Sequence, residues 1–337
     1  MQGASSNLAE RLDPLGPFGM FELPSSVVSP AANLDPVPVD TYTPGEMIDV
    51  LKKYPSALLQ HGFCSPFLHH SLYEENVADM ATLAKSAMAV CFGSALETAD
   101  GARFARQAMT LERQRIIEAF PASECMQQWD LLHAMLLYEV LGIRIASESV
   151  KAPWKLTSYS KSMQAPFLVK MARGFIHSHL HAPGSTLMAA PGLETQDLAG
   201  WSVAETARRT IFLANAIHFL SSIDPNTGHT SPYYEPLNDE LVLNLPLPCS
   251  HALWSARTEQ EWQGTEEYSQ CQGNDLQAPE DFATAFYVRP GGQTLNGLLT
   301  RFPKQYLDTF LLGPGFNGSD ELRSFVIRCA LYQFHHK

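Results

Sequence analysis

Glu205, Arg208 and Arg209 stand three and four positions apart, so on a helix both arginines return to the side of the glutamate and local ion pairing is within reach. A guanidinium presents several donors in a fixed fork, suited to tying neighbouring segments together or to gripping an anion. A second cluster, His177-x-His179-x-His181, puts His177 and His181 on one helical face, where they would chelate a metal if a carboxylate joined them. No His-Glu-x-x-His accompanies them, and a helix ending near Pro183 favours imidazolium through its partial negative charge. The expectation is therefore a helix end and no metal. His69-His70 and His335-His336 read as surface or capping residues, and Cys64, near His61 and His69 in sequence, reads as a buried thiol. His133, Tyr138, His177, Arg209 and His218 are the polar groups that would orient a small ligand inside an apolar cavity. His133 and His218 equally fit hydrogen-bonded core histidines, and Tyr138 carries the same structural reading.

Other chemistries lack their signatures. Gly-x-Ser-x-Gly is missing, as are a phosphate-binding loop and a strand-borne dinucleotide fingerprint; Gly291-Gly292 and Gly313-Pro314-Gly315 fit helix ends and turns. No cofactor is expected. The six cysteines never form C-x-x-C, which excludes the local spacings of zinc fingers, zinc clusters and redox dithiols and leaves only ligands gathered from distant segments. Lys and Arg number 23 against 35 Asp and Glu, a formal charge of -12, the wrong sign for unaided DNA binding. Trp154-Lys155 and Phe286-Tyr287-Val288-Arg289 do not extend into a cationic stacking strip, so RNA or single-strand binding is not expected either. The start Met1-Gln2-Gly3 lacks a basic run followed by an apolar block, and Leu131 to Ile145 is broken by His133, Glu139 and Arg144. An intracellular, soluble protein with reduced thiols is expected, with no membrane partner.

The elements that must position these residues read as helices. With 337 residues, 45% apolar and 17% charged, the chain is long enough to bury roughly three quarters of its unfolded surface. Residues 1–43, rich in proline, predict a tail or linker whose apolar residues partly lie against the domain. Capping-box patterns recur as Thr43-Pro44-Gly45-Glu46, Ser71-x-x-Glu74, Ser202-x-x-Glu205 and Thr258-x-x-Glu261. Trp129, Leu132, Leu136, Val140 and Ile143 recur at three and four and predict a central core helix over 124–146. Further helices are predicted over 73–97, 102–119, 162–181, 203–222, 279–287, 294–301 and 319–335. The best strand candidate is Glu240 to Leu247. Turn-rich connections fall at 182–202, 224–252 and 264–278. The fold class expected is all-α, an irregular multi-helix domain over 44–337 with long loops and little or no sheet.

The stretch Trp201-Ser202-Val203-Ala204-Glu205-Thr206-Ala207-Arg208-Arg209-Thr210 is followed by Leu245-Pro246-Leu247-Pro248-Cys249-Ser250-His251-Ala252-Leu253-Trp254-Ser255-Ala256 and then Glu261-Trp262. Together they resemble the middle homology, or regulatory, domain of fungal Zn(2)Cys(6) transcription factors, in which an acidic residue and two arginines precede a Leu-Pro-Cys and a Leu-Trp segment. Leu131-Leu132-His133-Ala134-Met135-Leu136-Leu137-Tyr138 is similar to an upstream helix of that family, and the resemblance covers residues from about 50 to 335.

The resemblance implies an all-helical domain that follows a six-cysteine DNA-binding cluster and regulates activation in response to small molecules or other proteins. This sequence carries no such cluster, so direct DNA recognition is not expected of it. By the same resemblance Glu205, Arg208 and Arg209 tie a helix to a neighbouring loop while Trp254 and Trp262 anchor a turn; in the other reading Arg209 lines a ligand cavity. The implied function is a nuclear regulatory or effector domain acting through transcriptional protein partners, compatible with a small-molecule effector and with control of a biosynthetic gene cluster. The alternative is a cytoplasmic enzyme or metabolite binder of a secondary-metabolite pathway that kept the helical fold without DNA binding. A purely structural interaction module, including a homodimer, is the third option.

Overall fold

The computed structural model describes residues 43–57, 65–66, 69–73, 90, 98–123, 125–149, 165–180, 197–222, 237, 239–265, 293–303, 307, 311, 313–316 and 318–335. Contacts divide the chain into Met1–Pro38 and Val39–Lys337, and every described residue belongs to the second unit. The predicted tail over 1–43, apart from Thr43, and the predicted helix over 279–287 lie outside the described residues. So does nearly all of the predicted helix over 73–97.

The described part is 81% helical with 1% strand and no sheet, an all-α fold. Helices are numbered in chain order among the described residues. Helix α1 spans Pro44–Ala57 and begins as its sequence predicts. The Glu46 carboxylate accepts the Thr43 N–H at 2.6 Å while the Glu46 N–H reaches Thr43 Oγ1 at 3.3 Å, so the capping box closes in both directions. Met47, Ile48, Leu51 and Tyr54 form its buried stripe. Helix α2, Ala99–Ala119, is capped by Thr98, whose hydroxyl accepts from the Gly101 N–H at 2.9 Å, and it runs into a 3-10 turn at Phe120–Ala122.

Helices α3, Cys125–Ser149, and α5, Leu198–Ser222, form the centre. From Trp129 to Leu141 every side chain of α3 is buried, Asp130, His133 and Glu139 included, so a stripe in the sequence has become a helix enclosed on all sides. Packing explains this: α1, α2, α4 and α5 all lie against α3. Helix α4, Ala165–Phe175, continues as one π-helical stretch, Ile176–Leu180, and packs on both α3 and α5. The last helix, α10, Ser319–His335, also lies on α5 and is buried from Leu322 to Leu331.

Between α5 and α10 come short elements: α6 (Glu240–Leu243), α7 (His251–Trp254), α8 (Glu259–Gln263) and α9 (Leu295–Arg301). The Glu240 to Leu247 strand candidate is corrected here. Asp239 accepts the Leu241 N–H at 3.0 Å and is held by Arg173 of α4, which starts a helical turn where alternation alone suggests a strand. Only Pro246 pairs, in an isolated bridge to Thr294, with the Leu247 N–H donating to the Gln293 carbonyl at 2.6 Å. Among the described residues no helix is long and apolar enough to cross a membrane.

Enclosure of α3 has a measurable consequence. In urea unfolding, Leu136→Ala is expected to lower stability by about 2–5 kcal/mol. Leu111→Ala, on the 72% exposed residue of α2, is expected to change it by less than about 0.5 kcal/mol. Equal effects would contradict the packing.

Candidate functional site

Helix α5 starts one turn earlier than its sequence predicts. Asp197 accepts the Gly200 N–H through its side chain at 2.8 Å and the Trp201 N–H through its carbonyl at 3.2 Å, so Ser202 lies inside the helix. The Ser202-x-x-Glu205 capping box therefore does not form. Ser202 Oγ donates to the Ala199 carbonyl, and Glu205 is released for other work.

Glu205 and Arg209 are wholly buried and Arg208 is nearly so. One Glu205 oxygen lies 2.6 Å from Arg208 Nη1, and the other accepts from Arg209 Nε at 2.7 Å and from the Cys249 N–H at 2.9 Å. The spacing of three and four thus forms the predicted ion pairs, and the carboxylate also seizes the backbone of the Leu-Pro-Cys loop. Arg209 then spends its remaining donors on three other segments. Nη1 donates to the Pro66 carbonyl at 2.6 Å; Nη2 donates to Ser319 Oγ at 2.7 Å, Cys249 Sγ at 3.0 Å and the Cys249 carbonyl at 3.3 Å. Ser319, at the start of α10, donates its own hydroxyl hydrogen bond to that same carbonyl. Arg323 one turn on donates from Nε to the Pro248 carbonyl at 2.8 Å.

The aromatic half of the site covers this network. The Arg209 guanidinium carbon sits 3.7 Å from the centre of the Trp254 ring, a cation–π contact shielded from water. Trp254 Nε1 donates to the Ser65 carbonyl at 2.9 Å, and the Ser65 hydroxyl lies 2.8 Å from the Tyr54 hydroxyl of α1. Trp201 bridges Trp254 and Trp262 at ring separations of 6.4 and 5.7 Å, and with Cys249, Leu253 and Ala256 they make a small apolar cluster of their own. Trp262 is held by the short helix α8, whose Thr258 cap forms as the sequence predicts, the Glu261 N–H reaching Thr258 Oγ1 at 3.2 Å.

His69, read from the sequence as a surface or capping residue, is not at the surface, although its Nδ1 does accept the Ser71 N–H at 3.3 Å. It is fully buried, edge-on to Trp254 at 4.8 Å and to Trp201 at 5.9 Å. Its Nδ1 lies 2.8 Å from Ser71 Oγ, which in turn lies 3.1 Å from Ser202 Oγ of α5. Burial, then the neighbouring His70 and Arg209, push its pKa down from 6.5 to about 3, so the ring is neutral. For Glu205, burial pushes the carboxyl upward, but Arg208, Arg209 and the Cys249 N–H outweigh it and hold the pKa below the ordinary value.

The other candidates do not join this site. His133 is buried in α3, its ring parallel to that of Trp129 at 6.0 Å, and burial lowers its pKa to about 4. Tyr138 is buried in the same helix, its carbonyl accepting from Arg113 Nη2 at 2.9 Å. His218 is half-buried near the end of α5, and His177 is exposed on the π-helical turn. His181 and Cys64 lie outside the described residues. Among the described residues no three His, Cys, Asp or Glu side chains gather as a metal site. Sequence reasoning missed Ser65, Pro66, Ser319 and Arg323, which carry no local signal because their partners are distant in the chain.

The arrangement encloses its charges and buries Arg209 out of reach of solvent, so what it does chemically is hold four segments together. No protein-family model, curated protein or solved structure matches the chain.

Two predictions follow from the enclosed charge. Arg209→Met is expected to destabilise the protein by about 3–5 kcal/mol in urea unfolding, because it strands part of a buried carboxylate together with the Pro66 and Cys249 carbonyls and the Ser319 hydroxyl. Arg209→Lys should recover less than half of that, since one ammonium cannot span the same acceptors; a loss under about 1 kcal/mol for Arg209→Met would contradict the network. The pH dependence has a fixed sign. Between pH 6.5 and about 3 the unfolded chain protonates His69 and the folded chain does not. Stability therefore falls on acidification by up to about 1.4 kcal/mol per pH unit from this group. Loss of the Glu205 charge adds to the fall at the acid end, and His69→Gln should reduce the slope between pH 6.5 and 4.5 without abolishing it, since the buried His133 contributes in the same direction.

Proposed function

We infer that the chain is the regulatory, effector part of a transcription regulator of the zinc-cluster type, acting in the nucleus through protein partners and not by gripping DNA itself. The observation that supports this most is the convergence of the residues on which the family resemblance rests. Glu205, Arg208 and Arg209, the Pro248-Cys249 loop, Trp254 and Trp262 come from separate stretches and form one buried assembly. A motif shared for its architecture has to behave in this way, with each residue satisfied by another. The net charge of -12 favours contact with basic protein surfaces over a phosphate backbone.

The enzyme reading draws less support. The polar groups it would recruit are dispersed: His133 lies beside Trp129 in the core, His177 faces solvent, and Arg209 is committed to the buried network.

The test is to tether the intact chain to an unrelated DNA-binding module upstream of a reporter in a fungal cell. Reporter transcription is expected to change relative to the module alone, and Arg209→Met is expected to lose the change along with the folded chain. A tethered chain that is demonstrably folded and leaves transcription where the module alone leaves it would overturn the reading.

A further inference from the structure

A groove of about 320 Å3 opens between α4 and the end of α2, and neither Arg208 nor Arg209 lines it. One wall is a single face of α4 and its π-helical continuation: Phe167, Lys170, Met171, Gly174 and Ser178. The facing wall is Ile117, Phe120 and Pro121, with Gln128 of α3 beside them. The Gln128 amide already donates to the Phe120 carbonyl at 3.1 Å, which leaves that wall largely apolar. The volume lies at the small end of the roughly 300–1,000 Å3 typical of small-molecule sites.

Three features distinguish this groove from a packing defect. Phe167 is 41% exposed at its rim, one of few large apolar side chains in the described residues left so open. Lys170 is the one charged residue among those lining it, and it pairs with no carboxylate among the described residues, although the chain as a whole is strongly acidic. Gly174 sits in the helix interior, where glycine costs about 1 kcal/mol relative to alanine. Packing does not require it, because a Cβ there would meet only the Phe120 ring, at an ordinary 3.9 Å. What glycine preserves at this position is the open space. The π-helical turn that carries Ser178 borders the same space, and such turns recur at functional sites.

The geometry points to a binding site for a small amphipathic acid. Its apolar body lies between Phe167 and Met171 on one side and Phe120 and Ile117 on the other, its carboxylate meets the Lys170 ammonium, and a hydroxyl or similar neutral group meets Ser178. Ser178 lies eight positions beyond Lys170, about 12 Å along the helix axis, which sets the ligand's length at one or two fused rings or a medium acyl chain. This site shares no residue with the buried assembly, so it stands or falls apart from the regulatory reading.

The experiment titrates 6-hydroxy-2-naphthoate into the intact chain and follows the probe's fluorescence. Saturable binding of one molecule per chain is expected. The methyl ester of the probe, and Lys170→Gln with the free acid, should each bind about tenfold more weakly, the worth of one hydrogen bond to a charged group. Lys170→Arg should bind as the unmodified chain does. Gly174→Ala should weaken binding while the thermal midpoint holds or rises, which separates filling the groove from damaging the fold. The proposal is overturned by no saturable binding up to about 1 mM, by acid and ester binding alike, or by Lys170→Gln having no effect. Light scattering adds a further contrary outcome: a dimer of the unmodified chain that Gly174→Ala dissociates would assign the groove to a second copy.

Discussion

Glu205, Arg208 and Arg209 place a carboxylate and two guanidinium groups side by side in the interior of this fold with essentially no access to water. Withdrawing each such ion from water carries a penalty of several kcal/mol even after relaxation. The penalty is offset only if nearly every donor and lone pair finds a partner, and those partners must come from elsewhere in the chain. Glu205 meets this demand with Arg208, Arg209 and the Cys249 N–H. Arg209 meets it with the Pro66 and Cys249 carbonyls, Ser319 Oγ and the face of Trp254. The same desolvation that makes the cluster expensive therefore dictates where the loop before α7, the segment after α1 and the start of α10 must lie.

Geometry propagates outward from that requirement. Once Trp254 is fixed over Arg209, its indole N–H holds the Ser65 carbonyl, and Ser65 reaches Tyr54 in α1. Arg323 adds a second clamp on the Leu-Pro-Cys loop from α10, so two arginines on different helices grip adjacent carbonyls. Proline suits this loop because it offers a carbonyl and no N–H that would need its own partner. The neutral His69 fills the space between Trp201 and Trp254 without adding a third positive charge beside Arg209.

Much of the helical framework was legible because helix starts and stripes are local signals. Thr43 and Thr258 act as caps where the spacing of hydroxyl and glutamate predicts, and the apolar recurrence from Trp129 marks the helix that became the centre. Ser202 shows how the same signal misleads: Asp197 caps the helix a turn earlier, and Glu205 gains more from two arginines than from a cap. Residues 240–247 alternate like a strand, yet Asp239 starts a helical turn there, because Arg173 from a distant helix holds it. In the site, the pairing of Glu205 with Arg208 and Arg209 was readable from spacing, and the resemblance brought in Trp254, Trp262 and the Leu-Pro-Cys loop. Pro66 and Ser319 were not readable, since they meet Arg209 across 143 and 110 positions of sequence. The burial of His69 was not readable because a histidine pair in sequence gives no hint that two distant indoles close over it.

Native-state hydrogen exchange at the Cys249 amide examines the claim that buried charge pins the loop. This N–H belongs to no long helix and donates to Glu205. If the arginine network holds the loop, the amide exchanges as slowly as the core of α5, near the limit set by global unfolding. Exchange at the rate of an ordinary exposed loop, in a chain whose α5 amides stay protected, would show that the loop opens independently and that the buried ions do not organise the fold.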